Sequence, residues 1–300
     1  MSLKVITSGG NIVWAGAPGV DLNPLWTPEW DTVPNSLRRV AARDAERFSQ
    51  AAEDVLESQL LACIGGHNLC CDVFGAHSEG EVQKAGLSFH GEAGLREWEV
   101  TEVDDASVTL SCHLRQSQLE VSRTYTPAPD GAPVVKVTER LKNLVGSDRA
   151  LGRSQHVTLG AEILDGGCRF SSNCDKGLTW PEDNGEDSFW AVGAEFDMPS
   201  VPRKDGGADD WGQYPRCEKS SDLLTLRVDP SATHGYMLAD RLLPGGGAVA
   251  FAYAWERKAF PWLMTWEENR SRQQAPWSGR ALTRGAKSKS LLVSPLSSSP

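Results

Sequence analysis

Apolar and polar residues alternate with period two along much of the chain after about residue 95, which is the pattern of strands with one buried face. The alternating segments are 108–114, 119–125, 135–139, 224–228 and 249–255. A Pro-Asp-Gly turn at 129–131 separates the second segment from the third. The spacing predicts a meander of antiparallel strands.

Helical periodicity is weak by comparison. Only residues 37–61 combine Ala, Arg and Glu in a way that favours one or two short helices. Glycine and proline punctuate the chain without a long linker, and no internal repeat is visible. We therefore predict a mainly β protein, a large antiparallel two-sheet sandwich in a single domain over 1–300. The serine-rich segment 288–300 is expected to be a frayed tail.

Charge and cysteine usage exclude several classes. Thirty basic and 40 acidic side chains give a net charge of −10, which disfavours broad nucleic-acid binding. The chain lacks both the long apolar run of a membrane-spanning helix and an apolar leader, so no membrane association is expected. Seven cysteines without a CxxC pair indicate reduced thiols in a cytoplasmic protein and no metal site.

Tryptophan is unusually frequent, with 11 Trp beside 8 Phe and 4 Tyr. A buried indole needs a partner for its N–H, whereas an exposed indole face is suited to stacking on a ring-shaped ligand. The densest cluster is residues 260–270, where alternation places Trp262, Met264 and Trp266 on one strand face. Glu268 joins that face if the strand continues. Core packing and a sugar-stacking platform edged by carboxylates both fit this pattern.

Two of the six histidines stand out by context. His90 lies between Phe89 and Gly91, with Glu92 two positions on, so a ligand could approach closely at the glycine. Gln155 and His156 are adjacent in a segment of strand character and are expected to point to opposite faces. Each histidine alone is more often structural than functional.

A series of short motifs resembles the galactose mutarotase-like superfamily, and specifically its bacterial aldose 1-epimerase-like members. The motifs occur in order at 9–12, 23–26, 66–69, 74–75, 90–92, 155–160, 266–269, 275–277 and 284–285. The resemblance implies a β-supersandwich with a sugar cleft on one concave sheet face. It also implies interconversion of the α and β anomers of a free aldose without a cofactor. In that reaction a carboxylate takes the anomeric hydroxyl proton while a histidine protonates the ring oxygen.

By motif position, the resemblance makes His90 a sugar-binding residue and His156 the general acid. The family's catalytic Glu corresponds to Lys287, which would normally be protonated and unable to act as a base. Glu268, or Glu267, could replace it from a neighbouring strand. The predicted catalytic pair is thus His156 and Glu268. The predicted substrate-binding residues are His90, Glu92, Gln155, Trp262, Trp266 and Glu267.

Two alternatives stay open. The lysine at 287 favours a sugar-binding or sensor protein that does not epimerise its ligand. A hexose-phosphate epimerase would need clustered arginines for the phosphate, and the candidates are Arg96, Arg115, Arg123 and Arg153.

Overall fold

The computed structural model describes residues 1–27, 64–75, 90–165, 167–215, 217–271 and 287–294, the last segment by its backbone. The helix predicted within 37–61 lies outside these residues. The chain divides into two compact units, residues 1–154 and 155–300. The described chain is mainly β, as the alternation predicts.

The first unit contains two groups of antiparallel strands and one 3-10 turn, Ala93–Leu95. Strands β1 to β3 neighbour one another in chain order, and β4 to β7 form the meander predicted from the alternating segments. The strands are β1 (Ser2–Val5), β2 (Ile12–Gly16), β3 (His67–Asp72), β4 (Glu99–Val103), β5 (Val108–Leu114), β6 (Leu119–Pro127) and β7 (Val135–Asn143).

The meander buries one of its faces. Leu114 of β5 and Val121 of β6 are fully buried, whereas His113, the residue before Leu114, is exposed on the other face. Arg123 also lies on the buried face, where its Nε donates to Glu139 Oε1 at 2.6 Å. The ion pair compensates the cost of burying the guanidinium.

The second unit begins within β8 (Gly152–Leu159) and contains most of the remaining strands. They are β9 (Cys168–Ser172), β10 (Cys174–Thr179), β11 (Glu195–Asp197), β12 (Ser200–Pro202), β13 (Ala208–Asp210), β14 (Gln213–Tyr214), β15 (Ser220–Val228), β16 (His234–Leu242), β17 (Ala248–Glu256), β18 (Trp262–Asn269) and β19 (Lys287–Ser294). One short helix, α1 (Ala161–Leu164), follows β8. Residues 288–294, which belong to the segment expected to be a frayed tail, lie in the last of these strands.

Two antiparallel sheets dominate the second unit. One has the order β8-β19-β18-β15-β10-β11, and the other has the order β14-β9-β16-β17. In β15 the side chains alternate between buried and half-buried, and the buried set includes Leu224, Leu226 and Val228. Leu263 of β18 and Val157 of β8 are equally buried. The first sheet therefore has one apolar, packed face and one partly open face.

Candidate functional site

The partly open face of this sheet collects several residues predicted from sequence. Residues paired across antiparallel strands share a face. His156 of β8 is in register with Leu292 of β19, and Leu292 is in register with Met264 of β18. Trp262, Trp266 and Glu268 share this face, because each is an even number of residues from Met264 along the strand. We call this set of side chains, with their neighbours on β15, the indole face.

The two indoles are half-buried, unlike Met264 between them. On the neighbouring strand β15, Leu223 pairs with Trp266 and Arg227 pairs with Trp262. A half-buried indole flanked by polar groups can stack against a sugar ring while those groups bind its hydroxyls.

A third tryptophan extends the indole face and was not predicted. The backbone N–H of Trp180 donates to Leu223 O at 3.2 Å, which continues the β10–β15 register one residue beyond the end of β10. Trp180 therefore lies in the row of Leu223 and Trp266, and it is half-buried. Trp180 follows the end of a strand and is not part of a segment with period-two alternation, so the sequence pattern does not indicate its position.

His156 is buried on this face. Burial lowers the pKa of its imidazole to about 4, because the charged form is disfavoured away from water. The Thr158 hydroxyl lies 3.2 Å from Nδ1. At neutral pH the ring is therefore uncharged, and it can bind a hydroxyl more readily than it can deliver a proton.

Glu268 is almost completely buried at the end of β18. Its Oε1 accepts hydrogen bonds from the N–H of Ser271 at 3.0 Å and from the Ser271 hydroxyl at 2.5 Å. The bonds form because Arg270, with φ of 57°, turns the chain back after the strand. The carboxylate is thus held in place by a local turn.

Glu267 and Gln155 lie on the other face of the sheet. Glu267 is adjacent to Glu268 in β18, and Gln155 is adjacent to His156 in β8, so their side chains point to the face opposite that of these neighbours. The Ser220 hydroxyl donates to Glu267 Oε1 at 2.7 Å. The register therefore separates these two residues from the indole face, although all were predicted for one sugar site.

A second carboxylate, Asp222, lies in register with Glu267 and was not predicted from sequence. Burial raises its pKa and the nearby Glu267 raises it further, although several hydrogen bonds act in the opposite direction. Its Oδ1 accepts from the Ser188 hydroxyl at 2.9 Å and from the Phe189 N–H at 3.0 Å. Asp222 thus anchors a loop to β15.

His90, in the first unit, is held in one orientation. Its ring stacks on Phe74 with centroids 4.5 Å apart, and the Gly75 N–H donates to Nδ1 at 2.8 Å. An accepting Nδ1 places the ring proton of the neutral imidazole on Nε2. Gly91 is needed beside it, because a Cβ there would lie 2.2 Å from Cys71 O.

Glu92 takes part in a buried structural network. Its Oε1 accepts from Arg96 Nε at 2.6 Å, and its Oε2 accepts from the N–H groups of Gln116 and Ser117 at 2.9 and 3.0 Å. The side chain is fully buried. These bonds fix a turn between two strands of the meander.

Lys287, at the position where the resemblance expects a base, begins β19 opposite Asn269 of β18. The motifs at 275–277 and 284–285 lie outside the described residues. His90 and Glu92 belong to the first unit, and the other predicted site residues belong to the second.

Within the described part of the chain, no group of three or more His, Cys, Asp or Glu side chains is arranged to hold a metal ion. Among these same residues, no helix combines the length and the apolarity needed to cross a membrane.

Comparison of the structure with solved structures gives three matches. A candidate aldose 1-epimerase from Escherichia coli K12 aligns with a TM-score of 0.51 at 12% identity, over 97% of this chain and 84% of that chain. A galactose mutarotase-like protein from Lactobacillus casei aligns with a TM-score of 0.38 at 14% identity, over 76% of this chain and 72% of that one. A galactose mutarotase-related enzyme from Lactobacillus acidophilus aligns with a TM-score of 0.44 at 9% identity, over 76% and 70%.

No protein-family model and no curated protein sequence matches the chain. The Escherichia coli structure shows that the chain has the galactose mutarotase-like fold, which confirms the predicted fold class. At 12% identity that likeness describes the fold and not the activity.

Proposed function

We propose that this protein binds a free sugar on the indole face. The observation that carries the proposal is that Trp262 and Trp266 lie on the partly open face of one sheet, the face that also carries His156. The indoles would stack on the apolar face of a pyranose ring. The neutral imidazole of His156 and the Glu268 carboxylate would bind hydroxyl groups.

Interconversion of sugar anomers is the second candidate function. Glu268 and His156 lie on the same face, and a carboxylate and an imidazole are the groups that this reaction requires. The low pKa of His156 weakens it as a proton donor near pH 7. We therefore propose sugar binding as the primary function and expect any anomer exchange to be slow.

A phosphorylated sugar has less support. Two of the candidate arginines are committed to carboxylates, Arg96 to Glu92 and Arg123 to Glu139. On the indole face, Arg227 is paired with Asp175 through two hydrogen bonds. A phosphate would have to displace such a partner.

Binding is tested by titrating a panel of free hexoses, pentoses and uronic acids, with tryptophan fluorescence and calorimetry as readouts. We expect at least one sugar to bind and Trp262→Leu or Trp266→Leu to weaken that binding about tenfold, equivalent to about 1.4 kcal/mol. Trp14→Leu is the matched control, because Trp14 is a half-buried indole of the first unit. A sugar that binds the parent and all three variants with equal affinity would reject the indole face as the binding site. If no sugar of the panel binds the parent protein, the proposal of sugar binding is rejected.

Anomer exchange is measured separately by NMR on the sugars that bind. Acceleration over buffer that is lost in both Glu268→Gln and His156→Gln would establish the second candidate. Binding without acceleration would leave the protein a sugar-binding protein.

A further inference from the structure

Strand β17 forms one edge of the sheet with order β14-β9-β16-β17. Its nine residues alternate between exposed alanines and larger apolar residues, and its only charge is Glu256 at its end. A long, uncharged edge strand is rare in proteins that stay monomeric, because its unpaired backbone groups bind other strands.

The other sheet edges among the described residues carry features that block such pairing. On β7 the exposed positions include Lys136, Arg140 and Lys142, and on β4 they include Glu99 and Glu102. The remaining edge strands are short and are charged or adjoin proline: β1, β11, β12, β13 and β14. Of the edges that the structure describes, β17 alone combines length with the absence of these features.

The hydrogen-bonding pattern of the β16–β17 hairpin determines which backbone N–H and C=O groups of β17 point away from β16. At one end the Leu243 N–H donates to Gly247 O, and at the other the Arg257 N–H donates to Thr233 O, both at 3.1 Å. In an antiparallel pair the bonded positions alternate. Positions an odd number of residues from Gly247 therefore direct their N–H and C=O away from β16. They include Ala248, Ala250, Ala252 and Ala254.

We propose that β17 pairs with β17 of a second copy of this chain, antiparallel, about a two-fold axis at Ala252. This register sets Ala252 opposite its own counterpart and Ala250 opposite Ala254. The three alanine pairs would each form two backbone hydrogen bonds. The pairing is isologous and closes at two copies.

Side chains and charge are self-complementary in this register. Phe251 of one copy lies opposite Tyr253 of the other, which is an aromatic cross-strand pair. Glu256 lies opposite Ala248, so no like charges meet across the strands although the chain carries −10 overall. The small alanine side chains leave the approach of the two backbones unobstructed.

Sedimentation equilibrium of the full chain tests the proposal. We expect a dimer for the parent protein, and a dissociation constant at least tenfold higher for Ala252→Lys, which places two ammonium groups at the axis. Leu242→Lys is the matched control, because Leu242 is 82% exposed on β16 of the same sheet but is not on the edge strand. A parent protein that is monomeric up to about 0.1 mM, or a dimer unaffected by Ala252→Lys, overturns the proposal.

Cysteine crosslinking tests the register independently of stability. Opposed residues in such a pair have Cα atoms about 5.5 Å apart, within disulfide reach. Oxidation should therefore join two copies of the Ala252→Cys variant by a disulfide at position 252. Ala250→Cys should not crosslink alone, but it should do so when mixed with Ala254→Cys. Self-crosslinking of Ala250→Cys would show a different register and reject this one.

Discussion

His156 combines a polar ring with a buried position on a sheet face, and its ionisation is therefore coupled to folding. Burial lowers its pKa to about 4 in the folded chain, while an imidazole in the unfolded chain titrates near 6.5. Below pH 6.5 the unfolded state binds a proton that the folded state does not. Stability contributed by the neutral ring is therefore lost as the pH falls from about 6.5 towards 4.

We expect the unfolding free energy to fall by about 2 kcal/mol between pH 7 and pH 5 on account of this one residue. Urea unfolding of the parent and of His156→Gln at both pH values isolates its share, since other groups titrate equally in both proteins. His113→Gln, which removes an exposed histidine of β5, serves as the control substitution. An equal pH dependence in His156→Gln and the parent would contradict the prediction.

The sequence predicts only some features of the single residues at the site. Alternation alone predicted that one strand face carries Trp262, Met264, Trp266 and Glu268. The predicted sugar site also included Glu267, although neighbouring residues of a strand point to opposite faces. The structural bonds of Glu92 were not visible in sequence, because they come from Arg96 and from the backbone of 116–117.

Strands β15 and β18 show how element pairing creates a feature that neither strand has alone. Their register brings the buried Asp222 of β15 beside Glu267 of β18. Asp222 is also the acceptor for the loop before it, since the N–H groups of Phe189 and Trp190 both donate to it. The loop is therefore tied to the sheet through one side chain.

Asp222→Ala is expected to lower the unfolding free energy by about 2 kcal/mol, because it leaves buried loop donors without an acceptor. The loop should also become more accessible, and cleavage after Glu182 and Glu186 by a glutamate-specific protease should accelerate. Asp229→Ala is the control, since the described hydrogen bonds of the Asp229 carboxylate come from Ser231 alone. Unchanged cleavage in Asp222→Ala would show that other contacts hold the loop.

At the scale of the whole molecule, most of the described cysteines are shielded from solvent. Cys70, Cys71, Cys112, Cys168 and Cys174 are free thiols inside the two units, and Cys217 is partly exposed. Burial raises the pKa of Cys71, Cys112 and Cys174 to about 12, so the reactive thiolate is scarce at neutral pH.

Alkylation by iodoacetamide should therefore modify Cys217 first among these six. The five buried cysteines should react only as fast as the protein unfolds, and at full rate in denaturant. Peptide mapping by mass spectrometry follows each site, with the denatured chain as control. Fast native labelling of Cys70 or Cys174 would indicate local opening that the structure does not contain.

The sequence by itself determined the fold class, because period-two alternation follows from the local geometry of a strand and is found wherever such a strand has one buried face. The short motifs predicted the mutarotase-like fold, which the comparison with the Escherichia coli structure confirms. Tertiary structure decided which candidate side chains meet. Strand register placed His156 in the row of Met264, added Trp180 to the indole face and brought Asp222 beside Glu267 on the other face. Register depends on contacts between segments distant along the chain, and periodicity within one segment does not contain that information.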